Sequence, residues 1–411
     1  MKVLVIGSGG REHAIAYYIA ASKHKPQVFV AKGNAGMTCA TLVNINESDN
    51  KALIRFALKE KIDLTIVGPE AALSNGIVDD FRKNNLLIFG PTKEASKIES
   101  SKKFAKELME KYDIPTAKYK AFNDYEESIN YIKNNSLPIV IKYDGLAAGK
   151  GVVIAATIEE ADTFLKEIFF KNKYDTKEVV IEEFLEGPEF SLMAFVNKEK
   201  VYPMEIAQDH KRAYDNDLGP NTGGMGAYSP VNIISKEDIE YSVKNIMEKT
   251  AKALVSEGIC YLGVLYGGLM KTKDGIKVIE FNARFGDPET EVVLPRLKND
   301  LLDVILNVIA KKDFTLKWIN EVCLGVVMAS VGYPNDYKKN CEINNIPDEE
   351  VFHMGTKIED GKIVNNGGRV LMVLGKGKTF LEAQEKAYKK VKMIESKNLF
   401  YRKDIGYQMI K

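Results

Sequence analysis

The sequence lacks the cysteine pattern that a disulfide framework or a zinc centre needs. Its four cysteines, Cys39, Cys260, Cys323 and Cys341, are scattered through 411 residues, and none forms a C-x-x-C pair. Such spacing reads as free thiols in a reducing compartment, and a cytoplasmic location is expected. A charge excess is also missing: 58 basic residues face 57 acidic ones, for a formal net charge of +1. Broad affinity for DNA, RNA or anionic membrane usually needs a basic surplus, so neither nucleic acid nor membrane is expected as a partner. A local basic pocket for a phosphorylated small molecule stays open. No segment approaches the roughly 18 uninterrupted apolar residues of a membrane span. The apolar run in the opening MKVLVIGSGGREHA is too short, and too soon broken by glycine, for a signal peptide. There is no internal repeat and no low-complexity tract.

What is present is enough apolar material, 45% of residues, for large cores. At roughly 150 residues per domain the length suggests about three domains. Residues 1–90 alternate strands (Lys2–Ile6, Gln27–Ala31, Asp63–Val67, Leu86–Phe89) with helices (Glu12–Ala21, Asn50–Glu60, Ala72–Asn84). That alternation specifies a parallel sheet with helices on both faces, whose post-strand loops line a ligand crevice. A small α+β unit follows over 118–189, with helices at Asp124–Asn134 and Ile158–Phe169. The last 90 or so residues, from the strand Leu324–Ser330 to the helix Thr379–Ile394, read as a separate small domain. The expected fold class is α/β and α+β multidomain, divided into 1–100, 101–320 and 321–411.

Several segments carry chemistry. The loop Gly7-Ser8-Gly9-Gly10-Arg11-Glu12 follows a strand and opens a helix, so its N–H groups can face an anion. A dinucleotide site is disfavoured, because Glu12 replaces the third glycine and Lys32 stands at the end of the second strand without an acid. A phosphate or small polar substrate suits Arg11 better. The loop Asp144–Val152 is not a Walker loop, since Gly151 replaces the Ser/Thr that would hold magnesium. With Gly149, Lys150 and Gly151 it reads as a flap over a triphosphate, and Lys142 on the preceding strand would reach the same phosphates. Val180–Glu189 is a strand running into an acidic turn that could read an adenine edge and ribose hydroxyls. In Lys277–Glu289, alternation puts Glu280, Asn282 and Arg284 on one face and Ile279, Phe281 and Ala283 on the other. Glu280 and Asn282 offer the hard oxygens that Mg²⁺ prefers, and Arg284 could clamp a phosphoryl group. In Gln208–Arg212, Lys211 and Arg212 could stabilise phosphate charge and Asp209 could orient an amine, while His210 reads as a packing residue. The glycine-rich loop that follows, 219–228, is too irregular for a helix or strand and reads as functional.

Together these segments resemble the ATP-grasp superfamily and, within it, the phosphoribosylamine–glycine ligase family, the glycinamide ribonucleotide synthetases. The resemblance covers essentially the whole chain. It rests on VIGSGGREHA (5–14), LTIVGPEAAL (64–73), SKKFAK (101–106), DGLAAGKGV (144–152), VIEEFLEGPEFS (180–191), QDHKR (208–212), GPNTGGMGAYSP (219–230), VIEFNARFGDPETE (278–291) and KDIGY (403–407). It implies an N-terminal substrate domain of the pre-ATP-grasp kind, a two-part ATP-grasp unit with 118–189 as a mobile lid, and a C-terminal domain. It implies ATP with Mg²⁺ or Mn²⁺, and glycine and 5-phosphoribosylamine as substrates, joined through a glycyl phosphate. The enzyme would be a monomer or weak homo-oligomer. By position, Lys102, Lys142 and Lys150 would contact ATP phosphates, with Gly149 and Gly151 in the flap. Glu182, Phe184, Leu185 and Glu189 would hold adenine and ribose. Glu280 and Asn282 match the family's metal ligands. Arg284 and Asp287, with Lys211 and Asp209, fall where the acyl phosphate and the amine should meet. Gly9, Gly10, Arg11 and Glu70 would face phosphoribosylamine, and Asn221, Thr222 and Gly223 belong to the substrate side. Tyr143, Pro188 and Asn216 depart from the family's usual residues. Another ATP-grasp carboxylate–amine ligase or carboxylase is the alternative.

Overall fold

The computed structural model describes residues 1–146, 151–171 and 176–410. Strand β1 (Lys2–Gly7) is buried at every residue but its first. Burial on both faces belongs to the middle of a parallel sheet covered by helices. With β2 (Gln27–Lys32), β3 (Thr41–Val43), β4 (Leu64–Val67) and β5 (Ile88–Phe89), it forms a parallel sheet in the order β3-β2-β1-β4-β5. The helices among these strands are α1 (Gly10–Ala20), α2 (Asn50–Glu60), α3 (Glu70–Ser74) and α4 (Ile77–Lys83). The single helix expected over Ala72–Asn84 is two, because Gly76 turns left-handed between them at φ 79°.

Because β1 and β4 are neighbours, the loops after them lie side by side. Glu12, in the first turn of α1, is buried between those loops. Its carboxylate accepts the Gly9 N–H at 2.7 Å and the Arg11 Nε–H at 2.5 Å. A Cβ on Gly68 would stand 2.0 Å from Glu12 Oε1, and one on Gly7 2.5 Å from its Cγ. These glycines make room for a carboxylate. Gly68→Ala should therefore destabilise the fold by about 1–3 kcal/mol through overpacking. A lower urea midpoint with an unchanged slope would report it.

Helices α5 (Lys97–Ser100) and α6 (Lys102–Lys111) lead into a second sheet. Its strands β6 (Tyr119–Phe122), β7 (Ile139–Tyr143), β8 (Val152–Ala155) and β9 (Val179–Glu183) are antiparallel, in the order β6-β9-β7-β8. Helices α7 (Tyr125–Lys133) and α8 (Ile158–Phe169) share a small core with it, including Ile129, Ile141, Leu165 and Ile181. A third sheet runs β11-β10-β16-β17, from β10 (Glu189–Asn197), β11 (Lys200–Pro203), β16 (Leu262–Thr272) and β17 (Gly275–Asn282).

The residues from 321 onward share their sheet with the middle of the chain. Strand β18 (Val322–Ser330) is flanked by β22 (Arg369–Gly377) and by β15 (Gly226–Ser229), with β12 (Gln208–Asp209) beyond β15 and β19 (Val351–His353) beyond β22. The short β23 (Leu399–Phe400) also pairs with β18. Two hairpins, β13 (Arg212–Tyr214) with β14 (Leu218–Asn221) and β20 (Thr356–Glu359) with β21 (Lys362–Asn365), complete the strands. Leu324 and Val326 of β18 belong to the same core as Leu192 of β10 and Leu265 of β16. Among the described residues, no helix is long and apolar enough to cross a membrane.

A buried histidine pair joins the first and last parts of the chain. The His353 N–H donates to His13 Nδ1 at 2.9 Å, and His353 Nδ1 lies 2.8 Å from Thr356 Oγ1. Burial, and then the neighbouring His353, pull His13 down to about 3; burial pulls His353 to about 4. Each ring resists protonation when folded and accepts it when unfolded near 6.5. The stability is complete above that pH and falls as pH drops toward 4, by about 1.4 kcal/mol per unit for each ring. A melting temperature that falls between pH 6.5 and 4, and falls less steeply in His353→Asn, would bear this out.

Candidate active site

A cavity of about 500 Å³ lies among the four larger sheets, walled by residues from 11 to 369. It brings together Arg11, Glu70, Lys102, Lys142, Gly151, Glu182, Asp209, Lys211, Thr222, Gly223, Glu280, Asn282, Arg284 and Asp287 of the sequence-derived candidates. Gly149 and Lys150 lie outside the described residues. Gly9 and Gly10 sit behind the wall at the start of α1. A Cβ on Gly10 would lie 2.5 Å from Glu291 Oε1. Phe184 is exposed, Leu185 half-buried and Asn221 exposed, and none of the three is on the wall.

One cluster gathers lysines. Ser101 caps α6 by accepting the Phe104 N–H, and its hydroxyl donates to Asp144 at 3.1 Å, so the helix is tied to the loop after β7. Lys102 Nζ then donates to the Gly145 carbonyl at 2.6 Å. Four residues on, Lys106 faces the same way. Lys106 and Lys142 each reach one oxygen of the buried Glu182 at 3.0 Å. Lys142 also donates to the Ile279 carbonyl at 2.7 Å. Burial pulls the Lys106 ammonium down to about 8, against the pull of Glu182. Glu182 thus lies between two ammonium groups on the cavity wall.

Strand β17 supplies the facing carboxylate. Gly268 pairs with Glu280 but Leu269 with Val278, so Ile279 is an extra residue and the strict alternation fails there. Ile279, expected on the core face with Phe281 and Ala283, is only half-buried and lies on the cavity wall, which the buried Phe281 also reaches. Burial would raise the Glu280 carboxyl, but Lys211, Lys142, Lys102 and Arg284 overcome it and hold it ionised. Among the described residues, no three His, Cys, Asp or Glu side chains converge as an all-protein metal cage. Glu280 and Asn282 both lie on the cavity wall, and two such hard oxygens could serve a divalent cation only if water and phosphates supplied its other ligands.

A second cluster surrounds Lys211. Its Nζ lies 2.8 Å from Glu189 Oε2. Glu189, expected at the ribose, is thus an ion-pair partner and is off the cavity wall. Burial works against the Lys211 charge, but Glu189, Asp209, Tyr266 and Glu280 raise it well above its ordinary value. Burial, with Glu289 and Glu189 adding to it and Lys211 opposing, pushes Asp209 up to about 7.

A third cluster joins the N-terminal sheet to β17. Arg284 Nε lies 3.3 Å from Glu70, and its NH2 lies 3.0 Å from Glu99. Arg11 donates to the Phe285 carbonyl at 3.1 Å and stands 3.9 Å from Glu70. Burial would raise Glu70, yet Arg284 and Arg11 bring it down to about 2. Arg369 closes this side. It reaches Asp287 Oδ1 at 3.0 Å and the Gly223 carbonyl at 2.6 Å, while the Gly223 N–H donates to Tyr333 at 2.9 Å.

Lys106, Glu99, Arg369 and Tyr333 escaped the sequence reading. Lys106 had a signal, the i, i+4 spacing from Lys102 in SKKFAK. Arg369 and Tyr333 had none, since they reach the site only through the shared C-terminal sheet.

The chain matches three family models in succession. They are described as the phosphoribosylglycinamide synthetase N domain (1–99), ATP-grasp (A) domain (100–290) and C domain (323–408). A phosphoribosylamine–glycine ligase of Halalkalibacterium halodurans is 52% identical, over 100% of this chain and 97% of the relative. One of Lactococcus lactis is 49% identical over 100% of both. The crystal structure of the Thermotoga maritima phosphoribosylamine–glycine ligase superposes with a TM-score of 0.87 at 35% identity, covering 99% of this chain and 100% of that one. The biotin carboxylase domain of a Hydrogenobacter thermophilus 2-oxoglutarate carboxylase shares the fold alone, with a TM-score of 0.76 at 15% identity over 97% of this chain and 91% of that one.

Proposed function

The chain belongs to the phosphoribosylglycinamide synthetase family, and on that premise we propose that it ligates glycine to 5-phosphoribosylamine with ATP. The products are N1-(5-phosphoribosyl)glycinamide, ADP and phosphate, in purine biosynthesis. The observation that carries the reading is the meeting of Glu280 and Asn282 with the Lys102–Lys142 cluster and with Arg284 in one cavity.

A free carboxylate cannot form an amide directly, because oxide is a poor leaving group. The glycine carboxylate therefore attacks the γ-phosphorus of ATP and ADP departs. The neutral amine then attacks the acyl carbon, the bond from that carbon to the phosphate oxygen breaks, and phosphate leaves as the nitrogen gives up one proton. Lys102 and Lys142, with Lys150, hold the phosphate charge, and the fixed partners of the first two keep them positioned beforehand. Arg284 is oriented by Glu70 and Glu99 toward the transferring group. Asp209 orients the amine, and Asp287 is held by Arg369 beside it. Glu280 and Asn282 would hold Mg²⁺, or Mn²⁺, which offsets the repulsion between carboxylate and triphosphate. Arg11, Glu70, Thr222 and Gly223 form the phosphoribosylamine side, with Gly9 and Gly10 behind Arg11 and Asn221 beside Thr222.

The same reading divides the chain into a substrate domain (1–100), an ATP-grasp unit (101–320) with 118–189 as lid, and a C-terminal domain (321–411). It makes the protein a cytoplasmic enzyme of small molecules, monomeric or weakly associated, with no nucleic-acid or membrane partner. ADP release with phosphoribosylamine generated in situ, omitting one component at a time, tests the function. Release that needs glycine, phosphoribosylamine and metal together, with the amide product seen by mass, supports it. Release with a different acid or amine, and not with this pair, overturns the substrate assignment.

A further inference from the structure

Three features of the sequence have no part in the chemistry above: the buried His210, the KDIGY segment at 403–407, and Asn216 at a position where the family often has glycine. The structure puts all three in one network. Arg402 is fully buried, and its guanidinium lies 2.8 Å from Asp217 Oδ1 and 2.8 Å from Asp404 Oδ1. It also donates to the Arg212 carbonyl at 3.1 Å. Asn216 is left-handed, at φ 60°, and in that conformation its N–H donates to Asp404 Oδ2 at 2.8 Å. The Lys403 N–H donates to Asp215 at 2.7 Å, and the Tyr407 hydroxyl to Asp217 at 2.7 Å. His210 Nε2 accepts the Gly406 N–H at 2.9 Å. That bond requires a neutral imidazole with its proton on Nδ1, which stands 3.9 Å from Asp217 Oδ1. Burial favours the same neutral form.

His210 lies between Asp209 and Lys211, both on the cavity wall. The segment from 215 to 217 precedes Thr222 and Gly223, on the wall as well. We infer that residues 402–407 form a strap that positions the 208–223 segment, with Arg402 as its anchor and His210 as the contact through which Asp209 and Lys211 are aimed. Arg402, Asp404 and His210 are positioning residues, and none of them faces the cavity. Among the described residues the strap makes no hydrogen bond or ion pair with the Lys102–Lys142–Glu182 cluster, so its loosening bears first on the side that carries Asp209 and Lys211.

This inference rests on the proposed reaction for its kinetic arm, and an independent arm does not need it. Arg402→Met, Arg402→Lys and Asp404→Asn are made in the full chain. In Arg402→Met we expect faster hydrogen exchange over 208–223, kcat lowered about tenfold or more, raised KM for glycine and the amine, and ADP affinity within about twofold of the parent. Arg402→Lys should restore a large part of kcat. Asp404→Asn keeps the Arg402–Asp217 pair and should show the same pattern more weakly, which serves if Arg402→Met fails to fold. Unchanged exchange over 208–223 overturns the strap. So does faster exchange with unchanged kcat and KM, or a loss of kcat and ADP binding in step with the folded fraction. If the parent does not turn over glycine with the ribosylamine, the proposed function has failed, and the exchange arm still decides whether the strap holds the segment.

Discussion

Glu280→Gln should lower kcat by about a thousandfold or more and leave the fold nearly as stable as before. The side chain is half-buried on the cavity wall, where the charges of Lys211, Lys142, Lys102 and Arg284 together keep it ionised. Glutamine has the same shape but neither the charge nor the second hard oxygen. The triphosphate would then meet the glycine carboxylate without an anchored counter-charge between them. Stability should move little, because every cation around Glu280 keeps another partner. Lys211 keeps Glu189, Lys142 keeps Glu182, Lys102 keeps the Gly145 carbonyl, and Arg284 keeps Glu70 and Glu99. ADP release at saturating Mg²⁺, beside a thermal melt, checks both halves. Near-normal turnover would remove Glu280 from the metal site.

Arg284→Met should do the opposite in stability and the same in rate. Glu99 is almost fully buried, and Arg284, at 3.0 Å, is its ion-pair partner. Burial already pushes the Glu99 carboxyl up, and the guanidinium beside it opposes that. Taking one member from a buried pair leaves an uncompensated carboxylate, at about 3–5 kcal/mol. Glu70 loses its nearer cation in the same step and keeps only Arg11 at 3.9 Å. Urea unfolding should show the loss directly. Adding Glu99→Gln to Arg284→Met should recover a good part of that stability without recovering turnover, because the clamp on the transferring group is still gone. Recovery of both would mean that Arg284 serves the fold alone.

The site was legible where a few adjacent residues carry the chemistry. One cavity wall holds Glu280, Asn282 and Arg284, singled out by two-residue spacing in one segment, and Lys142, singled out by its place just before a glycine loop. The reading failed where geometry depends on a partner strand. The bulge that turns Ile279 to the cavity arises from pairing with β16 and has no mark in β17 itself. Nothing in the segment of Glu182 and Glu189 announces that both also pair with ammonium groups. Their ammonium partners, Lys106 on α6 and Lys211 just beyond β12, come from more than twenty residues away.

By itself the sequence determined the local elements, the glycine turns and the family, because helix period, strand alternation and motif spacing act over a few residues. Only the tertiary structure decided that Glu12 fills the space between two loops. It also decided that the chain after residue 321 shares a sheet with 226–229 and sends Arg369 and Tyr333 into the cavity, and that Arg402 straps the segment carrying Asp209 and Lys211. These depend on which strands become neighbours and on which charges burial forces into pairs. Both are settled by the packing of the whole chain, over separations at which no local pattern carries information.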